Sequence, residues 1–91
     1  MIKEAVKEYF ETFKLEIDSV LNGEKERVNS EIWISPEWID LYLNSKGLEQ
    51  GEFDSNGWQY DFWIGYMKND KQYVLAGSGW YGNSITFGID D

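Results

Sequence analysis

Apolar side chains recur every three or four residues from Ile2 to Leu21, at Ile2, Val6, Tyr9, Phe10, Phe13, Ile17, Val20 and Leu21. That period predicts one amphipathic helix over 2–21. Glu4, Lys7, Glu8, Glu11 and Lys14 share the other face. Glu4–Lys7 and Lys7–Glu11 stand at spacings worth about 0.2–0.5 kcal/mol each. Gly23 suits the left-handed residue just past a helix end. Residues 24–30 read as a charged connection, and Ile32-Trp33-Ile34 as a short extended piece. Ser35-Pro36-Glu37 then combines an N-cap hydroxyl, a proline at the first helical position and an acid in the first turn. A second helix is expected over 36–46, apolar over more than one face through Trp38, Ile39, Leu41, Tyr42 and Leu43.

Beyond Gly47 the period changes from helical to alternating. Trp58, Tyr60, Phe62, Ile64 and Tyr66 fall on one side of a strand, and Gln59, Asp61, Trp63, Gly65 and Met67 on the other. Glu52-Phe53-Asp54 precedes it, with Asn56-Gly57 as a hairpin signal. A second turn is expected at 69–71, a strand at 72–76, a glycine-rich loop at 77–83, and a last strand at 84–89 with Ile85, Phe87 and Ile89 on one face. The order predicts an α+β fold: the N-terminal helix and the short second helix packed on one face of a three- to four-stranded antiparallel sheet.

The chain of 91 residues is expected to form a single domain. Sixteen aromatics (5 Trp, 6 Tyr, 5 Phe) supply its core, since each buries about 150–250 Å² when enclosed. Cysteine and histidine are absent, which excludes disulfides, Cys/His zinc sites and His-based nucleophilic triads. No stretch approaches the ~20 apolar residues of a membrane span, and the N-terminus lacks the apolar centre of a signal peptide. A cytoplasmic protein without cofactor or metal is the expectation. Glu52, Asp54 and Asp61 are a weak candidate for paired-carboxylate catalysis, because so short a chain rarely builds the cleft that glycoside hydrolysis needs. Asp54-Ser55-Asn56-Gly57 lacks the alternating ligands of a calcium loop. Gly77–Gly82 precedes a strand rather than a helix, unlike a phosphate-binding loop.

Charge changes the picture more. The net charge is −9, and residues 28–67 hold seven acids against one lysine, a net −6. A local field of one sign points to a partner of the other sign, or to a solvated face that keeps a small aromatic-rich domain soluble. On a strand Glu52 and Asp54 share a face at a rise of about 6.6 Å. That separation lets a row of carboxylates stand in for the phosphates of a nucleic-acid strand, which repeat every ~3.4 Å of axis. Glu49 and Asp61 extend the row, and Glu37 and Asp40 on the second helix flank it. Trp63, Trp80 and Tyr81 are candidate apolar anchors, since Trp and Tyr concentrate at interface centres.

In physical character the chain is similar to several groups of small acidic inhibitors. They include anti-CRISPR and anti-restriction proteins of phages, uracil-DNA glycosylase inhibitors, and immunity proteins against nuclease toxins. The likeness lies in size, charge and missing catalytic inventory, not in a motif. It implies a non-enzymatic inhibitor whose partner is a basic nuclease or other nucleic-acid-binding protein, with no direct contact to nucleic acid or membrane. The alternatives are an immunity protein or antitoxin against a basic toxin, a carbohydrate- or peptide-binding module using Trp63, Trp80 and Tyr81, and a subunit whose apolar sheet face is buried in a homo-oligomer.

Overall fold

In the computed structural model the chain runs α1 (Ile2–Leu21), β1 (Arg27–Ser30), α2 (Pro36–Ser45), β2 (Glu49–Asn56), β3 (Asp61–Lys68), β4 (Lys71–Ser78) and β5 (Ser84–Ile89). Residues 2–56, 61–78 and 84–90 are described. The strands form one antiparallel sheet in the order β1-β5-β4-β3-β2. The fold class is α+β, as the periodicity predicts, with five strands among the described residues rather than three or four.

Both helices stop by the same device. Gly23 (φ 82°) and Gly47 (φ 88°) take the left-handed conformation. The amides that follow turn back onto the last carbonyls, Glu24 N–H to Ser19 O at 2.8 Å and Leu48 N–H to Leu43 O at 3.1 Å. Leu48 drops into the core at that point, the apolar contact that completes this kind of helix end. Lys68, from β3, donates to the carbonyl oxygen of Lys46 at 2.6 Å and adds a cation where the α2 dipole is negative. At the other end of α2, Pro36 starts the helix, but the Ser35 side chain makes no capping bond. The Ser35 carbonyl alone accepts, from Trp38 and Ile39.

The largest departure from expectation lies between the helices. The strand is Arg27–Ser30, within the stretch read as a connection, while the apolar Ile32-Trp33-Ile34 is not in a strand. Ser30 accounts for the break: its hydroxyl donates to the Ile32 carbonyl at 2.8 Å and accepts from the Ile32 amide at 3.2 Å. That local turn satisfies the backbone groups a longer strand would have paired. Ile34 is buried, and the Trp33 and Phe62 rings stand perpendicular with centroids 6.0 Å apart.

One face of the sheet is the core. Val28, Ile64, Tyr66, Tyr73, Leu75, Ile85 and Phe87 meet Phe13, Ile17 and Val20 of α1 and Ile39 and Leu43 of α2. α1 lies over β1 and β5, and α2 lies beside β2. Tyr42 of α2 donates to Asp18 of α1 at 2.6 Å, and Tyr66 of β3 donates to Asp40 of α2 at 2.5 Å. Burial, then the hydrogen bond to the carboxylate, raises the ionisation of both phenols above the ordinary tyrosine range. The thinnest dimension is 20 Å, one sheet and one helix layer, and among the described residues no helix lies over the second sheet face.

Candidate functional site

Strand alternation decides what the uncovered face displays. With Phe62, Ile64 and Tyr66 turned to the helices, Trp63, Gly65 and Met67 face the other way, as the alternating pattern predicts. Trp63 is half-buried and Met67 exposed. The indole lies along its own strand: a Cβ at position 65 would stand 3.2 Å from Trp63 Cη2. Gly65 therefore leaves the ring its place on the sheet. Around the ring lies a recess of about 170 Å³ lined in part by Glu52, Met67, Gln72 and Asp90.

Glu49 opens β2 opposite Met67, and its side chain is exposed. Between Gln50 and Phe53 the register shifts, so Gly51 and Glu52 together stand against Gly65. This bulge adds one residue to the edge strand, and Glu52 reaches the recess beside Trp63. Asp54 is the register partner of Trp63, and Asp61 is paired with Asn56 and Ser78. The side chains of Asp54 and Asp61 lie outside the described part, as do Trp80 and Tyr81 altogether.

Glu37 and Asp40 are placed elsewhere. Both belong to α2, on the covered side of the sheet. Asp40 accepts from Tyr66 and from Asn44, at 2.5 and 3.2 Å, so one of its tasks is to fix helix to sheet. The acids that run close together in sequence thus split into two groups with the sheet between them. Beside the free edge of β2, on the helix side, Pro36, Glu37, Asp40, Leu41, Gln50, Phe53 and Ile64 line a groove of about 440 Å³.

The bases are also sorted. Lys14 pairs with Glu11, Lys25 with Glu16 and Lys46 with Asp18, all on the helix side. Lys68 reaches α2, and Lys71 has the strand parity of Tyr73 and Leu75. Among the described side chains, the cation on the uncovered face is Arg27, folded across Gly88 at the opposite edge. Four strand spacings separate β1 from β2, about 19 Å. That exceeds the ~8 Å screening length at physiological salt, so Arg27 does not neutralise Glu49 and Glu52. No three carboxylates come together as a metal site among the described residues.

No protein-family model matches the chain, and no curated protein and no solved structure matches it.

Proposed function

We propose that this protein is a non-enzymatic inhibitor that places its uncovered sheet face against the nucleic-acid site of a basic partner, a nuclease or other defence effector. The observation that carries the reading is the sorting of charge across the sheet. Glu49 and Glu52 border Trp63 and Met67 on a face whose described cation, Arg27, sits at the far edge, beside the strand that leads to Asp90. The lysines with described side chains lie on the helix side or pair there. A basic groove built for phosphates would meet acids at the β2 edge and an apolar centre beside them, the order of polar rim and apolar anchor that stable interfaces share. Steering by the unneutralised carboxylates would speed association and make it salt-sensitive. An immunity protein acting on a basic toxin would use the same surface in the same way.

The test is reconstitution. A tagged copy recovers its partner from a lysate of the source organism, and the purified pair is assayed for DNA or RNA binding by the partner. Equimolar wild-type protein is expected to block nucleic-acid binding, and the Glu49→Lys, Glu52→Lys variant to leave it intact. Equal blocking by both proteins would contradict the reading. Trp fluorescence quenched by oligosaccharide, insensitive to salt, would favour a carbohydrate module instead.

A further inference from the structure

β2 ends the sheet, and its outer edge has no strand beside it among the described residues. An eight-residue edge presents a row of free amides and carbonyls, ready to pair with another extended chain. Natural edges are blunted by charge, above all lysine, by proline or by bulges. Residues 49–56 hold no lysine or proline. The bulge is confined to Gly51 and Glu52, which leaves Phe53–Asn56 in regular register. The charges are acids, Glu49, Glu52 and Asp54, which repel an acidic strand but not a basic one. Beside the edge, on the helix side, lies the 440 Å³ groove, where Phe53 is 59% and Leu41 68% exposed. The carboxylates of Glu37 and Asp40 rim it.

These features select an occupant. A second copy paired edge to edge would bring two sets of three acids together, in a chain of net charge −9. Like charges across a strand pair oppose it. A strand with apolar and basic residues in alternation meets no such barrier. Its apolar side chains would rest on Phe53 and Leu41, and its basic ones would face Glu49 and Glu52. We propose that the β2 edge receives an extended, alternately apolar and basic segment of the partner by strand addition, in the manner of β-augmentation. The proposal deepens the reading above and rests on its basic partner; it adds the backbone geometry of the contact.

The test uses a synthetic peptide of alternating lysine and valine, the same peptide N-methylated at every second residue, and a peptide of alternating aspartate and valine. Hydrogen exchange is followed by mass spectrometry on the full chain. The lysine peptide is expected to bind and slow exchange within 49–56. N-methylation, which keeps the charge and removes backbone donors, is expected to weaken binding at least tenfold, as is Phe53→Ser. Equal binding of the N-methylated peptide, or slowed exchange over 72–76 and 84–89 with 49–56 unchanged, overturns strand addition and leaves the basic-partner reading standing. Binding of the aspartate peptide in place of the lysine peptide overturns both. Failure of the lysine peptide to bind overturns strand addition. A sedimentation mass of two chains, with 49–56 protected in the absence of peptide, assigns the edge to a second copy and overturns it also.

Discussion

The Tyr66 hydroxyl donates to the Asp40 carboxylate at 2.5 Å, across 26 positions of sequence. The bond ties the middle of β3 to α2 and so holds one wall of the groove beside the β2 edge. Tyr66 is buried. A hydrogen bond to a charged acceptor is worth about 1.5–3 kcal/mol in such a setting. Asp40 keeps partial exposure and a second bond to Asn44, which lowers the expected loss. Tyr66→Phe is therefore expected to destabilise by about 1–2 kcal/mol in urea titration at unchanged slope. A shift below about 0.5 kcal/mol would show the bond to be incidental.

Alkaline pH is the complementary probe. In the fold, Tyr66 and Tyr42 both hold their protons above the ordinary tyrosine value of 10.0, through burial first and then the bonds to Asp40 and Asp18. The unfolded chain releases those protons near pH 10, while the folded chain keeps them. Between these points the native state binds more protons, so stability falls as pH rises. It is fully present below pH 10 and is lost progressively above it. Tyrosinate absorbance should show two phenols that ionise only as the fold melts, and Tyr42→Phe with Tyr66→Phe should flatten the alkaline limb. Free titration of every tyrosine below the melting pH would contradict the assignment.

Gly77 tests the packing of the covered face. It pairs with Phe62 on one side and Ile85 on the other. A Cβ there would lie 2.3 Å from Phe62 Cε1 and 2.9 Å from Ile85 Cδ1. Gly77→Ala must push the Phe62 ring from its edge contact with Trp33. The expected cost is about 1–3 kcal/mol, read as a lowered melting temperature. Gly77→Ala with Phe62→Leu should recover part of it. A neutral Gly77→Ala would place the Phe62 ring elsewhere.

How much of this was legible in the chain follows from the range of the interactions. α1 and β5 begin and end where the periodicity places them, because each has an uninterrupted pattern of its own. α2 ends one residue before the expected 46, and β4 extends beyond 72–76 to Lys71–Ser78. β1 was not legible. Arg27-Val28-Asn29-Ser30 has one apolar side chain, and only pairing with β5, far along the chain, makes it a strand. Ile32-Trp33-Ile34 carries the stronger strand signal and loses to the Ser30 turn. In the candidate site, alternation set Trp63 and Met67 apart from Phe62, Ile64 and Tyr66. It could not say that α2 would carry Glu37 and Asp40 to the covered side, nor that Gly51 would bulge and bring Glu52 beside Trp63. The sorting of the lysines, the feature that argues most for a basic partner, exists only once the sheet has two unlike faces.

The most direct measurement compares two variants of equal charge. Glu49→Lys with Glu52→Lys alters the β2 side of the uncovered face. Glu8→Lys with Glu11→Lys makes the same change on the exposed side of α1, at the cost of an exposed ion pair with Lys14 worth under about 1 kcal/mol. Affinity for the basic partner recovered with the protein is measured at low and physiological salt. A loss of about 30- to 100-fold is expected for the β2 variant at physiological salt, and of less than about threefold for the α1 variant. Equal losses in the two variants would mean that the charge acts only through its total, and would contradict a binding role for the uncovered face.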